Sequence, residues 1–505
     1  MLLAIDSNSH EPLYLQIRNQ IRERIVAGGL KVGDRLEASR ALAKQLGVHR
    51  TTVGNAYAEL EAEGLIQGAV GRGTFVSPFA KGVVATDRSR RQASNDFFWD
   101  SFFIEEPRED SLARLMAAAF QPGVISFAAT HGSADLNPAD LVRRATDAVL
   151  RHDGAHLLDY GSSDGYPPLK KHLQGRLGRD GIAAELDEIL ITNGCQQSFD
   201  LVRRSMVAAG DAIACDNPTY TGLWRVFDSP GVRLIGVPVG PHGMDLDFLT
   251  AALEQNKVKL ILANPNFQNP TGRTMSLEAR KRLLDLAVRF QVPVVEDDIY
   301  GGLRYFGRDL PSLKALDQAG LVIYLNSFSK VGFPGLRVGW MVASQRVIER
   351  LRGAKQRADL HTNLLGQAVL NEIGRRGWLD KWIRRTRRHY AMKLDFIRAA
   401  MARHFPPEAR CTFPEGGMAV WVELPPGLDA AELLVKAQDQ KVNFAPSRYF
   451  YFQQPQRNAF RLCFTTLPNE QIEKGIDILG SLLRAEVRKA GTRRNSAAMA
   501  NVALV

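Results

Sequence analysis

The chain has 505 residues, 45% of them hydrophobic and 24% charged, and a formal net charge of +11. This is too long for one core, and the composition excludes a fibrous or disordered protein. No apolar run of about 18 residues is present to cross a membrane, the four cysteines (Cys195, Cys215, Cys411, Cys463) are too scattered for a zinc site or a disulfide framework, and the positive balance favours a polyanionic partner without naming it.

The opening MLLAIDSNSHEPLY carries neither a basic n-region nor a long apolar stretch, so a soluble, cytoplasmic protein is expected. From Pro12, PLYLQIRNQIRERIVAGG places Leu13, Ile17, Ile21 and Ile25 four apart, which predicts a helix closed by two glycines. LEASRALAKQLGVHRTTVGNAYAELEAEGLI predicts two more, with Ser39 as the first N-cap and Gly47 as the break. The second opens at His49 to Thr52 and buries Val53, Tyr57 and Leu60 before Gly64 ends it. Two short helices hinged at glycine, the second starting with Arg and Thr, suit insertion into a DNA major groove. LIQGAVGRGTFVS then alternates and turns through Gly68, Gly71 and Gly73, predicting a two-stranded wing with Arg72 at its tip.

Residues 10 to 77 resemble a GntR-type winged helix-turn-helix, almost without gaps. The resemblance implies that Arg40 and the trio Arg50, Thr51 and Thr52 contact double-stranded DNA, with Arg72 on the wing. Two departures concern base preference: Glu37-Ala38 stands where the family usually has Pro-Ser, and His49 where it usually has Ser or Thr. The first domain is placed at residues 1–78, followed by an aperiodic linker at 79–100.

Over 101–485, apolar runs such as EILIT, DAIAC, VRLIGVPV, KLILANP, VPVVED and VIYLNSFSK alternate with helical stretches. That pattern predicts an α/β domain with a mainly parallel central sheet and a smaller C-terminal subdomain, its ligands at the carboxyl ends of strands. Polar clusters fall at those ends: NGCQQSFDL, DNPTYTG, NFQNPTG, DIY and SFSK. The first is a small-residue turn into a helix, able to hold a phosphate on free amides. The basic stretch from Gly374 to Arg398 has helical period and reads as solvated surface, and 486–505 reads as a basic, disordered tail.

In that order, with PGLRVG following Lys330, these motifs resemble the fold-type I, pyridoxal-phosphate-dependent class I aminotransferases from about Val124 to Leu483. The resemblance implies that Lys330 carries pyridoxal 5'-phosphate as a Schiff base, which requires a neutral amine. It sets Asp297 against the pyridine nitrogen, Asn269 and Tyr300 on the phenolic oxygen, and Tyr220 on the ring face. Arg337, Ser327 and the amides of Gly194 and Cys195 take the phosphate, with Ser329 as a further candidate. Tyr160 reaches the phosphate of a neighbouring subunit, which requires a homodimer. In NAFRLCFTTLPNEQIEKGI, Arg461 matches the arginine that grips a ligand carboxylate. The segment around His131 and Gly132 fits the family only loosely.

Together the two halves resemble MocR-type regulators. The implied protein is a homodimeric transcription factor that senses the cofactor itself, or an amino acid or amine effector through an external aldimine. The alternatives are a working aminotransferase with an accessory DNA-binding domain, and a cofactor-free dimerisation domain. No metal site is expected.

Overall fold

The computed structural model describes residues 3, 5, 6, 11–26, 29–69, 73–78, 121–130, 132, 133 and 135–502, with the backbone alone for 491–502. Arg72, His131, the linker 79–100 and the start of the large domain to residue 120 lie outside these. The chain forms two compact units, Met1–Glu109 and Asp110–Val505.

In the first unit, α1 (Leu13–Val26), α2 (Ser39–Leu46) and α3 (Arg50–Ala62) precede the antiparallel strands β1 (Ile66–Ala69) and β2 (Gly73–Val76). Their apolar faces close a small core around Ile17, Ile21, Leu42, Val53 and Leu60, all fully buried. Arg18 pairs with Glu59 at 2.7 Å and Arg22 with Glu63 at 3.1 Å, tying α1 to α3. The N-cap of α2 is Ala38 rather than the expected Ser39, and no side chain caps this end. Gly47 takes φ +68° and allows the sharp turn into α3. His49 accounts for its own departure from the family pattern. Its ring caps α3 by accepting from the Thr51 amide, and Nδ1 lies 2.8 Å from Thr51 Oγ1.

In the second unit, a short strand β3 (Ile125–Ser126) precedes the eight strands of the main sheet. These are β4 (Ile189–Thr192), β5 (Ala212–Asn217), β6 (Arg233–Gly240), β7 (Gly243–Met244), β8 (Val258–Ala263), β9 (Val294–Asp297), β10 (Val322–Ser327) and β11 (Gly339–Val342). Their order is β4-β11-β10-β9-β8-β5-β6-β7. The run from β10 to β6 is parallel, while β11 runs antiparallel between β4 and β10. β4, β8, β9 and β10 are almost wholly buried, as expected where helices cover both faces. β4, β5, β8, β9 and β10 therefore deliver their carboxyl ends to one edge.

The smaller part holds the antiparallel strands β12 (Arg410–Thr412), β13 (Ala419–Glu423), β15 (Ala445–Pro446) and β16 (Ala459–Cys463), while β14 (Val442–Asn443) pairs with β3. The basic segment forms a helix, Trp378–His404, that buries Trp382, Ile383, Tyr390, Leu394 and Ile397. The tail expected to be disordered instead continues the last helix, Asn469–Val502. Its Ala, Arg and Lys residues are good helix formers, and Glu486 pairs with Lys436 at 2.8 Å, anchoring the helix where the tail begins.

Candidate functional site

The edge loops converge on Lys330, which follows β10. Its Nζ donates to the Thr130 carbonyl at 3.0 Å, approaches Thr130 Oγ1 at 3.3 Å, and lies 5.9 Å from the Tyr300 ring centre. Burial lowers its pKa to about 8, and the Arg461 guanidinium pushes the same way. A neutral amine is therefore accessible near physiological pH.

Asp297 ends β9 and is only 4% exposed. Burial raises its carboxyl to about 7, partly opposed by the Ile299 amide, which donates to it at 3.3 Å. Its backbone is held by Asn264: the Asn264 side chain donates to the Asp297 carbonyl at 2.5 Å and accepts from the Asn269 amide at 2.9 Å. The Asn264 amide donates to buried Asp216, whose pKa burial raises to about 7. One neutral residue, through its side chain and its backbone amide, thus ties the β5, β8 and β9 ends together.

Arg461, on β16, is buried. Nη1 donates to Asn269 Oδ1 at 2.6 Å and Nη2 to the Ala128 carbonyl at 2.5 Å, while the guanidinium stacks 4.8 Å from the Phe450 ring centre. Nε has no hydrogen-bond partner, and among the described residues no carboxylate pairs with this cation. Burying a cation without a counter-charge is costly, so the arrangement favours an incoming anion.

Gly194 opens the helix Cys195–Met206 without a side-chain cap, leaving its first amides directed at the loop. A β carbon on Gly194 would lie 2.9 Å from Arg337 Nη2 and push the guanidinium off the turn. Arg337 takes φ +54° and donates to the Asn193 carbonyl at 2.7 Å. Ser327 Oγ lies 2.9 Å from Ser329 Oγ. Beneath the turn, Asn193 and Gln197 both donate to Asp359 at 2.6 Å, and Asp359 pairs with buried Lys355 at 2.7 Å.

Tyr300 is buried and Tyr220 is 39% exposed, and burial pushes both phenols up. Burial also pushes the Cys195 thiol up, which leaves the amide as what this residue offers an anion. Tyr160 stands 81% exposed, with its ring 6.0 Å from that of His361. In the first unit Arg40, Arg50 and Thr51 are exposed and Thr52 is half-buried.

The sequence pointed to Lys330, Asp297, Asn269, Arg461, Gly194 and Arg337, and the fold gathers them at one edge. It did not point to Thr130, Asn264, Asp216, Phe450 or Asp359. The signals available were Asn264, at the head of NPNFQNP, and Asp216, at the head of the quoted DNPTYTG.

The donor set suits a phosphorylated aromatic aldehyde. It offers a half-buried amine of lowered pKa, a buried carboxyl, a cation over a glycine turn with unused amides, and an arginine with an orphaned Nε. Residues 130–479 match the aminotransferase class I and II family, and residues 13–76 match the GntR family of bacterial regulatory proteins. The chain belongs to the class I and II aminotransferase family and carries a GntR-type DNA-binding domain ahead of it.

Among its relatives, the 2-aminoadipate transaminase of Thermus thermophilus is 38% identical, over 74% of this chain and 94% of that one. The probable rhizopine catabolism regulatory protein MocR of Rhizobium meliloti is 29% identical and is covered over both units, at 96% of each chain. The crystal structure of LysN, an α-aminoadipate aminotransferase from Thermus thermophilus complexed with N-(5'-phosphopyridoxyl)-L-leucine, superposes with TM-score 0.72. It is 35% identical and covers 78% of this chain and 100% of that one. The two-domain layout is that of the MocR-type regulators, and the cofactor class is pyridoxal phosphate.

Proposed function

We propose that this protein is a homodimeric, cytoplasmic transcriptional regulator that binds DNA through α3 and senses pyridoxal phosphate or an amino compound at the β-strand edge. Lys330 would hold the cofactor covalently. Asp297 would face the ring nitrogen, Asn269 and Tyr300 the phenolic oxygen, and Tyr220 the ring face. Arg337, Ser327 and the amides of Gly194 and Cys195 would take the phosphate, joined by Tyr160 from a second copy. When bound, the cofactor supplies an electron-accepting ring and an aldehyde that reacts with amines.

The observation that carries the reading is Arg461, a buried guanidinium with no carboxylate partner among the described residues, close enough to Lys330 to lower its pKa. An amino acid would bring its carboxylate to Arg461 while its amine replaces Lys330. Such a ligand bridges the small part, through β16, and the sheet edge, through the Lys330 loop. It can change DNA affinity only by favouring one of two arrangements of the protein. Titrating the cofactor-loaded chain with amino acids, while following cofactor absorbance and operator binding, tests this. The reading predicts that a ligand that shifts the spectrum also changes DNA affinity, and a spectral change without any change in DNA binding would refute it.

A working aminotransferase is the second reading, because Lys330, Asp297, Tyr300 and Arg461 are all present. Sustained turnover of an amino acid with a keto acid, at about 1 per second or faster, would favour it.

A further inference from the structure

Behind the proposed cofactor edge lies a second cavity of about 340 Å³, between the basic helix Trp378–His404 and the loops that follow β9 and β10. Four arginines line it, Arg176, Arg179, Arg304 and Arg387, against three aspartates, Asp180, Asp298 and Asp309. An adjoining opening shares Arg304, Asp309 and Arg387 and adds Arg384 and Arg388 from the same helix. Of the basic residues that read as plain surface in the sequence, half-buried Arg387 borders this cavity, while Arg384 and Arg388 stay exposed at the adjoining opening.

Several of these charges already have partners. Arg176 pairs with Asp380 at 2.7 Å, Arg179 lies 3.8 Å from the same carboxylate, and Arg304 pairs with Glu415 through Nη1 and with Asp309, 3.7 Å away, through Nε. Asp298 accepts from Asn266 at 2.6 Å and from the Tyr324 hydroxyl at 2.9 Å.

Two buried donors in the wall have no acceptor. Nη2 of Arg304, a residue 7% exposed, has no hydrogen-bond partner, and neither does the indole Nε1 of Trp340, 5% exposed. Arg387 uses Nε on the Gly302 carbonyl at 2.7 Å. Buried donors are ordinarily satisfied, and guanidinium groups and an indole N–H lining one cavity suit an oxyanion.

We propose that this cavity is a second binding site, adjoining the cofactor edge, for a small oxyanion: a phosphate or a carboxylate held by Arg304, Arg387 and Trp340. Its wall includes Ser327, which the cofactor edge shares, Phe328 and Val331, on either side of Lys330 in the loop, and Asp298 and Ile299, next to Asp297. A ligand here would brace both loops from behind and adjust the cofactor edge without entering it.

The test uses the full-length protein loaded with pyridoxal phosphate, so that the phosphate turn at Gly194 is already filled. Inorganic phosphate and succinate are titrated separately by calorimetry, to tell the phosphate source from the carboxylate one. The proposal predicts one site per chain for one of them, undiminished cofactor absorbance, and at least tenfold weaker binding in Arg387→Gln. Arg304 is embedded in ion pairs and its replacement risks the fold, so Trp340→Phe serves as the second variant, and it should weaken binding while keeping the cofactor. No binding of either anion at millimolar concentration would overturn the proposal. So would unchanged affinity in both variants, or release of the cofactor as the anion binds.

Discussion

Arg461 Nη1 donates to Asn269 Oδ1 at 2.6 Å, so the cation on β16 rests on a neutral amide of the loop after β8 rather than on a carboxylate. A ligand carboxylate would supply the missing counter-charge. Replacing Arg461 with Gln keeps a donor for Asn269 but removes the charge. Affinity for α-amino acids should then fall about 10- to 100-fold, the size of a hydrogen bond to a charged group. The matching amines, which lack the carboxylate, should bind almost as before. Titrating the cofactor absorbance with each pair separates the two, and an equal loss for both would assign Arg461 to packing.

The lowered pKa of Lys330 gives a prediction in pH. The neutral amine is the form that attacks an aldehyde, and here the neutral form dominates above about 8 rather than above 10.5. Cofactor uptake by the cofactor-free chain should accelerate about tenfold per pH unit below that midpoint and level off above it. A rate still climbing at pH 10 would mark an ordinary lysine. The linkage has a definite sign as well. Between about 8 and 10.5 the unfolded chain holds a proton at this lysine that the folded chain does not, so this group's contribution to stability increases with pH across that window.

What the sequence disclosed follows from the range of the forces involved. Strand positions came from local apolar runs, and β4, β5, β8, β9 and β10 fall where those runs are, whereas their order in the sheet, with β11 antiparallel between β4 and β10, did not. The ends of those strands carry short polar motifs, which made Lys330, Asp297 and Asn269 legible together. Asn264 and Thr130 were not, because their roles depend on contacts across the fold: Thr130 meets Lys330 from 200 positions away. The α2 cap failed for a related reason. Ser39 is a good capping residue, yet the Tyr57 hydroxyl donates to the Glu37 carbonyl at 2.7 Å and pins the chain just ahead of α2, whose N-cap is Ala38. The last helix reaches further than the sequence reading placed it, because the apolar spacing of Ile472, Ile476, Leu479 and Leu483, all fully buried, leads directly into the basic stretch.

The turn before the helix Cys195–Met206 can be tested at its narrowest point. Gly194 has φ +91° and ψ 172°, a region that is costly for any other residue, by about 1–3 kcal/mol. Its β carbon would also press on Arg337 Nη2. Gly194→Ala should therefore lower the melting temperature and weaken cofactor binding by about tenfold or more, since the strain and the displaced guanidinium act on the same turn. Equilibrium dialysis of pyridoxal phosphate measures the second effect. Lower stability with wild-type cofactor affinity would remove this turn from the proposed phosphate site.

In the DNA-binding unit, Arg40 and Arg50 are both exposed but sit differently. Arg50 opens α3, the helix expected to enter the major groove, whereas Arg40 lies in the first turn of α2. A guanidinium that reads a base edge contributes discrimination, and one on a phosphate contributes affinity without it. Arg50→Ala should cost about 1–3 kcal/mol on the cognate operator and relax the preference at one base position. Arg40→Ala should weaken binding to all sequences alike and reduce the salt dependence by about one phosphate contact. Both variants should keep the cofactor spectrum. Titrations of operator and scrambled duplexes at several salt concentrations distinguish the roles. If Arg50→Ala weakens both duplexes equally, α3 does not read bases through this residue.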